Sequence, residues 1–301
     1  MMSDELVALI GGTGLGDALA GTLDDAHYED VRTPFGAPSG PVMLGRIGRR
    51  RVAFVNRHGA GHIHNPSTVP YAANVFALKK LGARTLIASG AVGSLREDIA
   101  PGDLVFVDQF IDKTFRRRGT FFDECAVAHC EFAEPTCPRV RGILSEAAAS
   151  CGLRAHDGGT YVCMEGPQFS SRAESLMHRA WGGDLIGMTA MPEAKLAREA
   201  QMCYGLVALV SDYDCWRPHV AGGEKQRLLE EILGNLQRAT DNCLQLIQAV
   251  LGGEGAPRAA AGGPDLVRDT CSCRKSLELA VWTAPDAINP QKRSELAVLF
   301  E

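Results

Sequence analysis

The sequence predicts an α/β fold with a central, largely parallel or mixed sheet. Two observations point there. Short apolar runs of strand length recur along residues 5–251, and several end in glycine-rich turns. Segments with helical spacing lie between them, so strands and helices alternate in the manner of crossover-connected sheets. The chain has 301 residues, enough for a sizeable core, and its 46% hydrophobic against 22% charged residues exclude a disordered chain.

The elements follow in order. Leu6-Val-Ala-Leu-Ile10 reads as a buried strand that runs into Gly11-Gly-Thr-Gly14. Further strands are expected at Arg51 to Asn56, Thr85 to Ser89, Leu104 to Val107, Gly159 to Cys163, Asp184 to Met188 and Tyr204 to Ser211. Helices are expected at Val69 to Leu81, Ile143 to Cys151, Ser171 to Ala180 and Pro192 to Ala200. Glu224 to Leu251 is a long amphipathic helix, with Leu228, Ile232, Leu236, Ala239, Cys243, Ile247 and Val250 on one face. Residues 252–264 form a Gly/Ala/Pro-rich loop. Residues 265–301, helical around Leu277 to Val281, are too short for a domain and are expected to pack on the one formed by 5–251.

Lys plus Arg total 31 and Asp plus Glu 36, a net charge of -5, so nothing draws the chain to nucleic acid or an anionic membrane. No apolar run approaches the roughly 20 residues of a membrane-spanning helix. The first residues lack the pattern of a signal peptide, and a cytoplasmic location is expected. Most of the ten cysteines are scattered through apolar runs and read as reduced, buried thiols. Cys271-Ser-Cys273 alone is a tight cluster. A metal there would need another nearby pair, and no CxxC occurs, so no metal is expected.

Glycines, hydroxyls and cations gather at three strand ends. Gly11-Gly-Thr13-Gly14 can bring N–H groups and a hydroxyl to an anion, or serve only as a tight turn. Arg57-His58-Gly59 offers a guanidinium fork and a ring N–H. The run His58-Gly-Ala-Gly-His62-Ile-His64 lacks the carboxylates or thiols that would complete a metal set. Ser89-Gly-Ala-Val-Gly93-Ser94 reads as another small-residue turn. Together they look like one oxyanion site at the strand ends of an open sheet. In Ser211-Asp212-Tyr213-Asp214-Cys215-Trp216, two carboxylates at i and i+2 point to one side. Beside a heteroaromatic ligand such a carboxyl can keep its proton and act as a general acid. The same spacing fits a solvated acidic turn or a helix N-cap.

These segments, with Thr33-Pro-Phe-Gly36, Ala91-Val-Gly-Ser-Leu-Arg96, Pro101-Gly-Asp103, Asp108-Gln-Phe-Ile-Asp112, Glu165-Gly-Pro167, Phe169-Ser-Ser-Arg-Ala-Glu174, Gly187-Met-Thr189 and Pro192-Glu193, stand in one order along residues 6–251. In that order the chain resembles the S-methyl-5′-thioadenosine phosphorylases, a branch of the trimeric purine nucleoside phosphorylases. Cys271-Ser-Cys273 is similar to the CxC that archaeal and bacterial members carry near the end. The resemblance implies a single nucleoside phosphorylase-like domain with a twisted mixed sheet flanked by helices. It implies phosphorolysis of a purine nucleoside to free base and pentose 1-phosphate, without metal or organic cofactor, in a homotrimer or dimer of trimers.

By the same resemblance Thr13, Arg57, His58, Gly90, Ala91 and Thr189 hold phosphate, Met188 lies under the ribose, and Phe169 stacks on the base. His129 approaches the 5′ side from a neighbouring subunit. Asp212 donates a proton to purine N7 and Asp214 accepts from the exocyclic N6 amine. The 6-oxopurine branch has Asn at the first of these positions and Glu directly after the Phe; here they are Asp212 and Ser170, which favours 6-aminopurines. Two positions depart from the pattern. Gln168 replaces an Arg, and Lys225 stands where methylthioadenosine-specific members place a small apolar residue, which widens the expected substrates to adenosine and other 5′-modified nucleosides. A nucleoside hydrolase would not need Thr13, Arg57, His58 and Thr189 together, and a non-catalytic module would not need Asp212.

Overall fold

The computed structural model describes residues 6–12, 14–217, 225–252, 266 and 270–300. Among them, eleven strands form one sheet. The strands are β1 Leu6–Gly11, β2 Asp24–Glu29, β3 Val42–Ile47, β4 Arg50–Asn56, β5 Thr85–Ser94, β6 Leu104–Phe106, β7 Gln109–Asp112, β8 Ala155–Asp157, β9 Thr160–Cys163, β10 Leu185–Gly187 and β11 Cys203–Tyr213. The helices are α1 Leu15–Ala20, α2 Tyr71–Lys80, α3 Pro138–Ser150, α4 Arg172–Ala180, α5 Glu193–Glu199, α6 Lys225–Leu251 and α7 Pro290–Glu295.

β4, β1, β5 and β11 run parallel side by side, so their C-terminal ends share one edge. β2 and β3 extend this block antiparallel beyond β4. β5 is the branch point. Its first half pairs with β1, and Gly93 and Ser94 pair with antiparallel β10, while β11 follows it from Thr85 to Ser94. Residues 89–94 are therefore strand, not the turn expected from their glycines and serines. Full-length pairing with β11 holds them extended, and their small side chains leave the strand open to a ligand.

Every residue of β1 is buried because the sheet is covered on both faces. Val7 and Leu9 face the layer of α1, α3 and α6; Leu6, Ala8 and Ile10 face that of α2 and α5. Each of the Val, Leu and Ile side chains contributes about 1.5–3 kcal/mol by leaving water. β2 is exposed throughout, so it has no apolar alternation to reveal it. β3 carries Gly45, where an added Cβ would lie 3.0 Å from Asp24 O of the adjoining strand.

Residues 270–300 pack onto the α2/α5 layer through Leu277, Ala280, Ile288, Leu296 and Leu299. The expected helix at Leu277 to Val281 is not formed. Glu278 and Ala280 donate to the carbonyls of Lys275 and Leu277, which makes successive turns. Val281 then pairs antiparallel with Ala128, and Trp282 N–H donates to Val127 O, so the chain leaves the turns as a strand-like segment. Residues 253–264 lie outside the described residues.

Candidate active site

A cavity of about 490 Å³ opens at the shared C-terminal edge of the parallel strands. Its floor is Gly12 after β1, Arg57 and His58 after β4, and Ser89 to Gly93 of β5. Met188 and Thr189 after β10 and Asp212 to Cys215 at the end of β11 form its sides. Ile232 and Leu236 of α6 close it on the apolar side.

One end is built around a buried cation. Arg57, 1% exposed, donates from Nε to Glu193 Oε2 at 2.9 Å and from Nη2 to Oε1 at 3.1 Å. Its Nη1 donates to Ser89 O at 2.7 Å. Tyr204 adds a phenolic donor to Glu193 Oε1 at 3.0 Å. Burial acts against the guanidinium charge, and the Glu193 carboxylate outweighs it, so Arg57 is held firmly protonated. Nη1 carries a second proton beyond the one given to Ser89, and it sits between two glycines. An ideal Cβ on either Gly12 or Gly90 would lie 3.9 Å from Nη1, and the one on Gly90 also 3.3 Å from Thr189 Oγ1. The ends of β1, β4, β5 and β10 thus converge on a hollow where backbone, hydroxyl and guanidinium meet, without a Cβ at either glycine. Because Glu193 cancels the charge of Arg57, the hollow offers directed donors more than net charge.

His58 borders the same hollow. Its Nδ1 lies 2.8 Å from His64 O, and a carbonyl can only accept, so Nδ1 carries the proton and Nε2 presents a lone pair. Burial, helped by the Arg57 charge and opposed by the bond to His64 O, pushes its pKa down to about 4. The ring stacks on His62 at 4.1 Å between centroids. The expected ring N–H donor toward an anion is therefore an acceptor.

The opposite end carries the acids. A bulge interrupts the β11–β5 register between Val210 and Asp212 and turns Asp212 into the cavity. The bulge is fixed from α6, where buried Asn235 Nδ2 donates to Ser211 O at 2.9 Å. The Ser211 hydroxyl has both Asp212 Oδ1, at 2.6 Å, and Val92 O, at 3.2 Å, within reach of its single proton. Asp214 also lines the cavity, and its Oδ2 is buried with no hydrogen-bond partner among the described residues. Trp216 anchors the following turn, donating from Nε1 to Ser94 O at 2.9 Å with the Arg179 guanidinium 3.7 Å above its ring.

Arg117 fixes the remaining wall. Its buried guanidinium donates to Met188 O at 2.6 Å, Met191 O at 2.5 Å and Glu165 O at 2.7 Å, and pairs with Glu165 Oε1 at 3.3 Å. Gly166 backs onto Met188; its φ is 69° and an added Cβ would lie 2.6 Å from Sδ. Phe169 stands at the rim, 87% exposed, beside Ser170, whose hydroxyl points to Met164 Sδ at 3.6 Å.

Of the residues singled out in the sequence, the fold brings Arg57, His58, Gly90, Ala91, Thr189, Met188, Phe169, Ser170, Asp212 and Asp214 to this one cavity. Thr13 lies outside the described residues, as does the side chain of Lys225, the first residue of α6. His129 is not in the cavity. Its N–H donates to Ala280 O at 2.8 Å and its ring meets Trp282 edge-on at 4.8 Å, on a surface where Trp282 is exposed. Arg117, Tyr204 and the role of Glu193 escaped sequence reasoning. Glu193 stood in a recognised Pro-Glu pair, but nothing local ties it to Arg57, 136 residues away.

The model of the phosphorylase superfamily matches residues 6–252. The chain belongs to the phosphorylase superfamily. Within it, the S-methyl-5′-thioadenosine phosphorylase of Cereibacter sphaeroides is 44% identical over 293 residues, 97% of this chain and 96% of that one. A methylthioadenosine phosphorylase from an antarctic soil metagenomic library superposes with a TM-score of 0.84 at 39% identity, covering 99% of both chains. A variant of the adenosine/methylthioadenosine phosphorylase of Schistosoma mansoni, in complex with methylthioadenosine, superposes with a TM-score of 0.73 at 38% identity over 83% of this chain and 93% of that one. The phosphorylase fold thus carries both the donor-lined hollow and the acidic end in a single cavity.

Proposed function

We propose that this phosphorylase cleaves S-methyl-5′-thioadenosine, or a related 6-aminopurine nucleoside, with inorganic phosphate, giving adenine and a pentose 1-phosphate. The observation that carries this reading is the pairing within one cavity of a donor-lined hollow at Arg57 with two carboxylates at its far end. Relatives 40–47% identical over nearly the whole chain bear the name S-methyl-5′-thioadenosine phosphorylase.

Phosphate sits between the Gly12 and Gly90 backbone, takes hydrogen bonds from Arg57 and Thr189, and is completed by Thr13 and the Ala91 N–H. The neutral His58 Nε2 accepts a hydrogen bond from the P–OH of hydrogen phosphate, which turns an unprotonated oxygen toward C1′. As the C1′–N9 bond breaks, its electron pair moves into the purine, and Asp212 delivers a proton to N7. The attacking phosphate oxygen then closes the new C1′–O bond. Positioning of two substrates and stabilisation of separated charge supply the rate. Asp214 Oδ2 accepts from the N6 amine, Phe169 stacks on the base, and Met188 lies below the ribose. No metal or organic cofactor takes part; phosphate is a substrate.

His129 and Trp282 suit a face presented to a second copy of the chain, with His129 reaching a neighbour's 5′ side in a homotrimer. A cytoplasmic enzyme fits ten cysteines that form no disulfide with one another. Among the described residues no helix is long and apolar enough to cross a membrane.

Adenosine is a second substrate on this reading. By the resemblance Lys225 takes the place of a small apolar residue beside the 5′ substituent, and an ammonium gains little beside a thioether. Adenine release from methylthioadenosine, with and without phosphate, tests the proposal. Release only with phosphate is expected; release without it would make the protein a hydrolase, and no release a binding module.

A further inference from the structure

The fold supplies the second pair of cysteines that the sequence lacked beside Cys271 and Cys273. Cys137 caps the N-terminus of α3 and Cys203 opens β11. With Cys271 and Cys273, which flank the first residue of the 3₁₀ turn Ser272–Lys275, their four sulfur atoms lie within 4.8 Å of one another. The Cys137 and Cys271 Sγ atoms are 3.7 Å apart. A tetrahedron of sulfurs about 2.3 Å from a central zinc has edges of about 3.8 Å, whereas a disulfide needs sulfurs about 2.05 Å apart. We propose that Cys137, Cys203, Cys271 and Cys273 form a structural tetrathiolate zinc site that clamps residues 270–300 to the sheet.

The surroundings match a closed site. Cys137, Cys203 and Cys273 are buried and Cys271 is half-buried. Arg139 Nη2 donates to Cys203 Sγ at 3.4 Å and to Leu266 O at 3.1 Å, placing a cation beside what would be a doubly negative Zn(Cys)₄ centre. The thirteen-residue α3 turns its positive N-terminal end toward Cys137. Cys243 lies in the same apolar layer but outside the cluster, so mere apolar packing does not draw every thiol of this layer together. Soft thiolates select zinc, copper(I) or iron; a buried, fully occupied tetrahedral S₄ set suits zinc held for structure. The site stands at the opposite end of β11 from Asp212, roughly 30 Å away at the usual rise per residue, so it has no part in the chemistry of the cavity.

The full chain, produced in zinc-supplemented medium and purified under reducing conditions, is expected to hold one zinc per chain by elemental analysis. After metal removal, Co²⁺ should give the visible ligand-field bands and near-ultraviolet charge transfer of a tetrahedral thiolate site. C271S/C273S should abolish both signals, while C151S keeps them. A chelator should lower Tm by about 10 °C, reversed by Zn²⁺. The wild-type metal content decides the matter even if the double variant fails to fold. Absence of zinc together with failure to bind Co²⁺, iron in place of zinc, retention of zinc by C271S/C273S, or disulfides among these four cysteines in the freshly purified protein would each overturn the proposal.

Discussion

Arg57→Ala separates the two demands placed on one guanidinium. In the folded protein Arg57 offers directed donors to the hollow and neutralises Glu193, which is equally buried. Loss of a charged hydrogen bond to phosphate costs about 1.5–3 kcal/mol, which corresponds to a phosphate KM raised about tenfold to somewhat over a hundredfold. The stranded Glu193 carboxylate costs about 3–5 kcal/mol of stability besides, because a buried charge has lost its partner. Arg57→Ala combined with Glu193→Gln removes that stranded charge. The double variant should regain most of the stability, seen as recovery of the urea midpoint at unchanged m-value, while phosphate KM stays high. Steady-state kinetics at saturating methylthioadenosine with varied phosphate reads the second quantity. An unchanged phosphate KM in the single variant, or its full recovery in the double, would show that Arg57 is only a structural partner of Glu193.

Asp212→Asn keeps the shape of the side chain but delivers no proton, so kcat on adenine nucleosides should fall about 10²-fold or more; wild-type kcat would reduce Asp212 to a binding residue. The same variant should gain activity on 6-oxopurine nucleosides, since an amide can satisfy both N7 and O6, and a substrate panel checks this. Wild-type kcat/KM for adenosine should lie within about tenfold of that for methylthioadenosine, about 1.4 kcal/mol, and Lys225→Val should shift preference toward methylthioadenosine; a wild-type gap above about a hundredfold would show that Lys225 takes no part in 5′ selectivity. Burial pushes the Glu199 carboxyl up to about 7, so its unfolded form ionises first as pH rises. Its contribution is complete below about pH 4.5 and lost as pH climbs through about 7; Glu199→Gln should therefore be more stable than wild type at pH 8 but not at pH 4, by denaturant unfolding at both.

What could be read in advance was local chemistry at strand ends. Arg57-His58 follows an apolar strand directly, and Asp212 and Asp214 follow another, so residue type and neighbouring pattern sufficed to pick them out. Residues 89–94 misled because glycine and serine usually mark turns, whereas here pairing with β11 decides the conformation. The direction of the His58 hydrogen bond was hidden for a similar reason. Which nitrogen carries the proton depends on where His64 O falls, and only the loop geometry fixes that. Glu193 and Arg117 act on groups distant in sequence, and β2 buries nothing that would impose a period on it. The four clustered thiols come from three separated stretches of chain, so no spacing rule joins them.

α6 touches the site at two heights. Ile232 and Leu236 form a wall of the cavity, and Asn235, between them in sequence, grips the carbonyl of the bulged Ser211 next to Asp212. A rigid helix transmits a displacement along its whole length, so any change that shifts α6 to reshape the wall also tugs the strand carrying Asp212. The shape of that wall and the placement of Asp212 are therefore mechanically geared. Variants selected for a bulkier 5′ group through helix movement should sacrifice turnover, whereas those that change only the side chains at 232 or 236 escape that trade-off. A lineage adapting to a new nucleoside has an incentive to trim side chains on this helix before moving its backbone.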